Sequence, residues 1–287
     1  MVGFVTTGLR LRTSGREKFG KGLCTVRMSS DAMKENKMLH VVYRVGNIEA
    51  TKKYYTKCFG MKVLRERDVP DDKYTNCFLG YGSERRGEHF SIELTYNYGV
   101  DKYDLGNGFK YVGISVPDVE AAVTQVNENN GKIIDDSEIP ASAVAEDTDG
   151  YRFQLVPGQQ RDPVSKVSYS CTNIENSIKF YETALGMTCF QSSGSLAKLG
   201  YGAEKDSTIV ELVHSDKATE VGDGYGQIAI STPDVYAAAD SITKSGFEVT
   251  RAPGPVPGIG TKVTAVRDPD GFKIVLVDAE DFELEFD

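Results

Sequence analysis

Apolar and polar side chains alternate along several short stretches of this chain, and a regular pattern begins near residue 38. In MLHVVYRV, His40 and Arg44 fall on one face of a strand, and the other face is apolar. The next stretch, IEATKKYYTKCF, follows the capping residue Asn47 and stops at Gly60, which predicts a helix. Two strand patterns, MKVLRERDV and NCFLGYG, precede a third at Ser91–Asn97. The order predicts a β-α-β-β-β unit.

The same order of elements starts again after residue 108. YVGISV has the pattern of a strand, and Asp118 opens a helical stretch, VEAAVTQVNENN, that Gly131 ends. Three more strands are predicted near residues 132–134, 141–146 and 151–156. Asp149–Gly150 has the composition of the last hairpin turn. The segment QQRDP, residues 159–163, is predicted to be a linker.

The second half of the chain repeats the first. FYETALGM at 180–187 matches YYTKCFGM at 54–61, an offset of 126 residues. LGYG recurs at an offset of 120, and PDGF matches TDGY at an offset of 121. A repeat of about 120 residues predicts two halves with two β-α-β-β-β modules each, which is an α+β fold. Because one module cannot cover both faces of its sheet, paired modules are expected to enclose a concave surface.

Glu93 lies in the middle of the strand Ser91–Asn97, on the same face as Asn97. A carboxylate in mid-strand is an unusual side chain to bury unless its face lines a cleft. The residues alone leave two interpretations open. Glu93 is either part of a functional cleft or a buried carboxylate that is bonded to Arg44.

Length and composition define the class of protein. The chain has 287 residues, of which 40% are apolar and 26% charged, values typical of globular proteins with about two domains. Its sequence has no apolar run close to the roughly 18 residues that span a membrane. The five cysteines are scattered, without metal spacing or a disulfide framework, which indicates a reducing compartment.

Charge is distributed unevenly along the chain. The first 30 residues carry six Lys or Arg and one Glu, so the net charge of −9 leaves −14 for the remainder. An acidic body argues against nucleic acid or an anionic membrane as the main partner. The basic, Ser- and Thr-rich N-terminus has the composition of an organelle transit peptide. We expect a plastid location, with a mitochondrial address or a disordered cytosolic tail as alternatives, and we exclude residues 1–35 from the predicted fold.

Several stretches between residues 38 and 283 resemble the two-domain, plant-type lactoylglutathione lyases (glyoxalase I) of the vicinal oxygen chelate superfamily. They include MLHVVYRVGNIEATKKYYTKCFGMK, HFSIELTYNYGVDKYDLGNGF and RDPDGFKIVLVD. The linker stretch RDPVSKV also resembles the glyoxalase domain-containing protein 4 group. The resemblance implies two tandem glyoxalase-like domains, at 38–158 and 164–283, joined by the linker 159–163.

The resemblance also implies four metal-ligand positions in each half, with each potential site taking two from each half. Site A would combine His40 and Glu93 with Gln227 and Val275. Site B would combine Lys166 and Glu211 with Tyr111 and Gln154. Neither set completes the family pattern of His or Gln, Glu, His and Glu.

Site B is expected to be degenerate. Lys166 places an ammonium where a metal needs a lone pair, and Tyr111 is protonated at neutral pH. We therefore expect Lys166 to form an internal ion pair with Glu211.

Site A is the better candidate. His40, Glu93 and Gln227 would offer three nitrogen or oxygen ligands to one Zn, Ni, Co or Mn ion. Arg44 and Asn97, four residues after His40 and Glu93, occupy positions that bind glutathione in the family. An Arg can bind a carboxylate bidentately, as recognition of glutathione requires.

The implied reaction isomerises the hemithioacetal of glutathione and methylglyoxal to S-lactoylglutathione. It needs a base and a Lewis acid. The fourth ligand position usually supplies the base in the family, but here it is Val275. Glu93 would therefore serve as ligand, base or both, and we expect weakened activity in a protein that is monomeric because its halves are fused.

Two other functions are considered. One is a catalytically inactive descendant that binds a glutathione conjugate, another small ligand or a protein partner. The other is an extradiol dioxygenase, whose iron site needs two His and one carboxylate. Only three histidines are present, and His89 and His214 lie outside the ligand positions, which argues against it. Cys58 and Cys189 are predicted to be core residues.

Overall fold

The computed structural model describes residues 33, 35–129, 131–134 and 143–286. The N-terminal segment on which the transit-peptide prediction depends lies outside the described residues. Within the described part of the chain, every helix is too short or too polar to cross a lipid bilayer.

The described chain consists of four modules, each with one strand, one helix and three more strands. Module 1 contains β1 (Lys37–Arg44), α1 (Ile48–Cys58), β2 (Lys62–Val69), β3 (Tyr74–Gly80) and β4 (Ser91–Asn97). Module 2 contains β5 (Phe109–Val116), α2 (Val119–Glu128), β6 (Lys132–Ile134), β7 (Ala143–Glu146) and β8 (Arg152–Pro157). Module 3 contains β9 (Val164–Cys171), α3 (Ile174–Leu185), β10 (Thr188–Ser192), β11 (Leu196–Gly200) and β12 (Ile209–His214). Module 4 contains β13 (Tyr225–Thr232), α4 (Val235–Lys244), β14 (Val249–Pro255), β15 (Lys262–Arg267) and β16 (Lys273–Asp278), and α5 (Ala279–Leu284) follows it.

These elements confirm the predicted α+β fold of four β-α-β-β-β modules. Asn47 and Asp118 cap their helices as predicted, because each side chain accepts a hydrogen bond from the backbone three residues on. The short helix α5 at the end of the chain was not predicted.

Two eight-stranded sheets are formed, and each joins one module from either half of the chain. The first has the order β14-β15-β16-β13-β1-β4-β3-β2, and the second β10-β11-β12-β9-β5-β8-β7-β6. Modules 1 and 4 meet where β1 runs antiparallel to β13, and modules 2 and 3 meet where β5 runs antiparallel to β9. Each sheet therefore contains strands from both halves of the chain, and the composition of the two sites stays a prediction.

Within each half, a buried hydrogen bond ties the first module's helix to a turn of the second module. The Tyr55 hydroxyl on α1 donates to Asp147 Oδ2 at 2.7 Å, and the Tyr181 hydroxyl on α3 donates to Asp268 Oδ2 at 3.0 Å. The four modules therefore form a closed arrangement, joined alternately through helices and through sheets.

Residues that pair directly across neighbouring strands point to the same face of a sheet. In the first sheet one such row crosses five strands: Arg65, Phe78, Glu93, Val42 and Gln227. A second row on the same face is Ser91, His40, Ala229 and Val275. The register thus brings together the four positions of site A from strands that are far apart in the sequence.

A β-bulge in β13 lies next to Gln227, the residue of this strand that lies in the first row with Val42 and Glu93. Val42 lies opposite Gln227 and Tyr43 opposite Tyr225, so that Gly226 is the extra residue of a β-bulge. A Cβ atom at Gly226 would lie 3.0 Å from the carbonyl oxygen of Val42, which leaves little room for any residue other than glycine.

Candidate functional site

Site A opens into a cavity of about 750 Å³ on the face of the first sheet. His40, Glu93, Gln227 and Val275 all line it, so the structure brings together the four positions that the family resemblance implied for this site. Among the described residues, no three His, Cys, Asp or Glu side chains cluster closely enough to bind a metal by themselves. A third donor at site A would therefore be the Gln227 amide.

His40 and Glu93 are in direct contact at the floor of this cavity. His40 Nε2 lies 3.3 Å from Glu93 Oε2, and the two side chains are 8% and 11% exposed. Asn76 Nδ2 on β3 donates to Glu93 Oε1 at 2.5 Å. The alternative that Glu93 pairs with Arg44 is wrong, because Arg44 Nη1 donates to the carbonyl oxygen of Asp223 instead.

Burial changes the acid–base behaviour of this pair. Burial raises the pKa of Glu93 to about 8, against the opposing effect of the Arg65 charge. Burial and the Arg65 charge lower the pKa of His40 to about 3. At neutral pH both groups are therefore mainly uncharged, and a protonated Glu93 can donate to His40 Nε2. Ionisation of Glu93 would present a carboxylate and an imidazole lone pair side by side.

The wall of the cavity contains residues that the sequence did not identify. Arg65 on β2 bridges two carboxylates, with Nε 3.0 Å from Glu84 Oε2 and Nη1 3.0 Å from Glu285 Oε2. Its guanidinium also lies 3.5 Å from the centre of the Phe78 ring. Phe282 on α5 covers His40, with ring centres 6.2 Å apart. Pairing β2 and β3 in register with β4 would have revealed Arg65 and Asn76, but α5 carries no comparable signal.

The two predicted substrate-binding residues lie outside this lining. Besides its bond to Asp223, Arg44 lies near the carbonyl oxygen of Tyr225, and Asn97 Nδ2 donates to the Tyr103 hydroxyl at 2.8 Å. Their role in substrate binding stays a prediction.

Site B is built on the same register in the second sheet. One row contains Glu211, Ser168 and Tyr111, and the next contains Lys166, Gly113 and Gln154. These positions correspond one by one to those of site A.

The side chains of site B form an ion pair, as the sequence predicted. Lys166 Nζ lies 2.9 Å from Glu211 Oε2, with the two side chains 16% and 3% exposed, and the Tyr111 hydroxyl donates to the other oxygen of Glu211. Gln154 is buried on the neighbouring strand. The ammonium thus provides the positive partner of Glu211.

The other two histidines and the predicted core cysteines lie outside both ligand sets. His89 Nδ1 is 3.3 Å from the Ser83 carbonyl oxygen, and the exposed His214 contacts Asp216. Cys58 and Cys189 are buried core residues, as predicted.

Comparison with known proteins agrees with this architecture. The family model for the Glyoxalase/Bleomycin resistance protein/Dioxygenase superfamily matches residues 37–155 and 164–276. The protein named "Probable lactoylglutathione lyase, chloroplastic" of Arabidopsis thaliana is 46% identical over 270 residues, which cover 88% of this chain and 76% of that protein. The lactoylglutathione lyase of Oryza sativa subsp. japonica is 43% identical and covers 88% of this chain and 92% of its own.

Solved structures give the same result. The crystal structure of glyoxalase I from Zea mays matches with a TM-score of 0.82 at 44% identity, over 87% of this chain and 95% of that chain. The crystal structure of a mutant of the same maize protein matches with a TM-score of 0.83 at 43% identity, over 88% of this chain and 95% of that one. The chain therefore belongs to the glyoxalase/bleomycin resistance protein/dioxygenase superfamily, with the tandem fold of plant glyoxalase I.

Proposed function

We propose that this protein is a lactoylglutathione lyase-type isomerase that acts at site A on the hemithioacetal of glutathione and methylglyoxal. The observation that carries the proposal is the convergence of His40, Glu93 and Gln227 on one cavity. The names of the relatives, which are lactoylglutathione lyases, support the substrate class.

The residues of site A fit one divalent metal of the Zn, Ni, Co or Mn class. Imidazole nitrogen, carboxylate oxygen and amide oxygen are donors that these ions accept. His40 Nδ1 is buried and has no hydrogen-bond partner among the described residues, and Nε2 is 3.3 Å from Glu93 Oε2. Donors about 2.1 Å from a shared ion lie about 3 to 3.5 Å apart, so the spacing suits two ligands of one ion. When bound, the metal would supply Lewis acidity to the oxygens of the enediolate.

Glu93 would move the proton. It takes the proton from the carbon of the hemithioacetal and returns it to the neighbouring carbon, so the isomerisation needs no oxidant or reductant. Burial raises the pKa of Glu93 to about 8 in the metal-free site, and the positive charge of a bound metal would lower this pKa, so that Glu93 would be ionised and able to accept the proton. Asn76 holds one of its oxygens and so orients the other. Because Val275 supplies no second base, we expect slow turnover.

Arg44 and Asn97 are the proposed contacts for the glutathione part of the substrate. The Arg44 guanidinium now donates to backbone oxygens, which a substrate carboxylate would replace. Bidentate binding of a carboxylate would be stronger than these contacts because both partners are charged.

A second candidate is a non-catalytic protein that binds a glutathione conjugate, another small ligand or a protein partner. It is favoured by Val275 at the fourth position of site A and by the Lys166–Glu211 ion pair at site B.

Metal content and turnover separate the two candidates. We expect about one divalent metal per chain in the wild-type protein, and loss of that metal in His40→Ala and Glu93→Gln. With Ni or Zn supplied, the wild type should form S-lactoylglutathione slowly, and Val275→Glu should raise kcat by about tenfold or more, because it restores a carboxylate at the fourth position. A wild type that binds metal without turnover would favour the binding protein, and one without metal would exclude the enzyme.

We also propose a plastid location. The basic, hydroxyl-rich composition of residues 1–30 and the word chloroplastic in the name of the Arabidopsis relative support it. A fluorescent protein fused to the C-terminus should be imported into plastids, and deletion of residues 1–32 should leave it in the cytosol. Equal distribution of the two fusions would contradict the proposal.

A further inference from the structure

The fourth ligand position of site A has become part of an apolar cluster. Val275 is buried on β16 and packs with Leu39, Ala229 and Phe282. Among the four ligand positions, Glu93 is thus the only carboxylate, and once ionised it gives a single negative charge to a site that would hold a divalent cation. Charge compensation matters here because the donors are buried, where an unbalanced charge is costly.

Three carboxylates besides Glu93 line the same cavity, Glu66, Asp281 and Glu285, and Glu285 pairs with Arg65 beside Glu93. After β16, Asp278 caps α5, and the helix turns back so that Phe282 is buried beside His40. Glu285 ends this helix and lines the cavity together with Glu93. Glu285 lies ten residues after Val275, at the end of α5, the helix that directly follows β16.

Two contacts hold Glu285 in place. The Thr261 hydroxyl donates to its Oε1 at 2.7 Å, and Arg65 Nη1 lies 3.0 Å from its Oε2. Arg65 brings a positive charge to the cavity wall beside His40 and Glu93, and this charge opposes the entry of a cation. Glu285 offsets it from inside the cavity, whereas Glu84, the other partner of Arg65, does not line the cavity.

We infer that Glu285 takes over the charge of the missing carboxylate at position 275 and sets the affinity of site A for a divalent cation. This inference rests on the metal site of the proposed function and goes beyond it, because Glu285 is outside the four ligand positions. Glu285 is a positioning residue: its negative charge offsets the positive charge of Arg65, and its ion pair holds the Arg65 guanidinium in place.

The test is a calorimetric titration of the metal-free protein with Co²⁺. Glu285→Gln keeps the shape of the side chain and removes its charge, and we expect it to weaken Co²⁺ binding by about tenfold or more. Glu283→Gln is the matched control, since Glu283 lies on the same helix but accepts from the backbone N–H of Arg86 outside the cavity lining. Its affinity should stay within about twofold of the wild type.

A double variant separates charge from structural damage. Arg65→Gln with Glu285→Gln removes one charge of each sign, so the affinity for Co²⁺ should return most of the way to that of the wild type. A purely structural role would make the double variant weaker than either single one. Equal affinity of Glu285→Gln and the wild type would overturn the inference and leave the proposed function standing. A wild type that binds no Co²⁺ would overturn both.

Discussion

Lys166 and His40 occupy equivalent positions in the two sheets, yet they build different sites. The residue beside His40 across the central strand pair is Ala229, and the one beside Lys166 is Gly113. A Cβ atom at Gly113 would lie 2.6 Å from Lys166 Cγ, so the missing side chain makes room for the lysine. The internal ammonium of Lys166 thus depends on a pair of residues, the lysine and the glycine opposite it.

The ion pair at site B gives a prediction about stability. Lys166→Met should lower the free energy of unfolding by about 3–5 kcal/mol, because it leaves the buried Glu211 without its cation. Lys244→Met is the control: Lys244 pairs with Asp240 at 2.5 Å on the exposed face of α4, and its loss should cost less than about 1 kcal/mol. Urea unfolding followed by circular dichroism measures both, and equal losses would contradict the assignment of a buried pair.

The contacts of single residues were predictable where the internal repeat and the family resemblance identified equivalent positions in the two halves. The pairing of Lys166 with Glu211 followed from two ligand positions with opposite charges, and the structure forms it. The contacts of Asn76 and Arg65 with the site were not foreseen, because they depend on the register of three strands. A shift of one residue in that register would turn each side chain to the other face.

At the level of elements, the strands and helices of the four modules were predicted, and the terminal helix α5 was not. α5 has six residues, too few for a periodic pattern to be recognised. It is held by tertiary contacts, among them the burial of Phe282 and the bond from the Lys262 backbone N–H to Asp281 Oδ2 at 2.8 Å. Such a helix depends on packing that exists only once the sheet has formed.

Asp147, which accepts the hydrogen bond from Tyr55 on α1, predicts how the stability of the fold depends on pH. Burial raises the pKa of Asp147 to about 7, although its oxygens accept bonds from Tyr55 and from the backbone of Tyr151. Between about pH 4 and 7 the folded state keeps a proton that the unfolded chain has lost, so this group's contribution to stability falls as pH rises.

Asp147→Asn removes this titration. Its free energy of unfolding should therefore fall less steeply between about pH 4.5 and 7 than that of the wild type, by at most about 1.4 kcal/mol per pH unit. The difference between the two curves isolates Asp147 from other buried carboxyls, and parallel curves would show that Asp147 is already ionised in the folded state. The asparagine can still accept the backbone bond from Tyr151, which preserves the turn.

For the whole molecule, the internal repeat predicted four modules, but local pattern could not say which modules share a sheet. The strands β1 and β13 that join modules 1 and 4 pair Val42 with Gln227, which are far apart in the sequence. The alternation of apolar and polar residues in a module is the same whichever module it pairs with. The prediction that modules pair between the two halves therefore came from the family resemblance. The register that places Glu93 near Gln227 is a property of the assembled sheet.

Because both sheets cross between the halves, cutting the chain between them should not separate them. A specific protease site inserted between Gln159 and Gln160, which are both exposed, gives two fragments that each keep two modules. We expect the cut protein to elute from size-exclusion chromatography as one species at the volume of the uncut protein, held by β1–β13 and β5–β9. Its urea midpoint should rise with protein concentration, since unfolding now releases two chains, whereas that of the uncut protein should not. Fragments that elute separately would mean that the helix contacts within each half, and not the sheets, hold the molecule together.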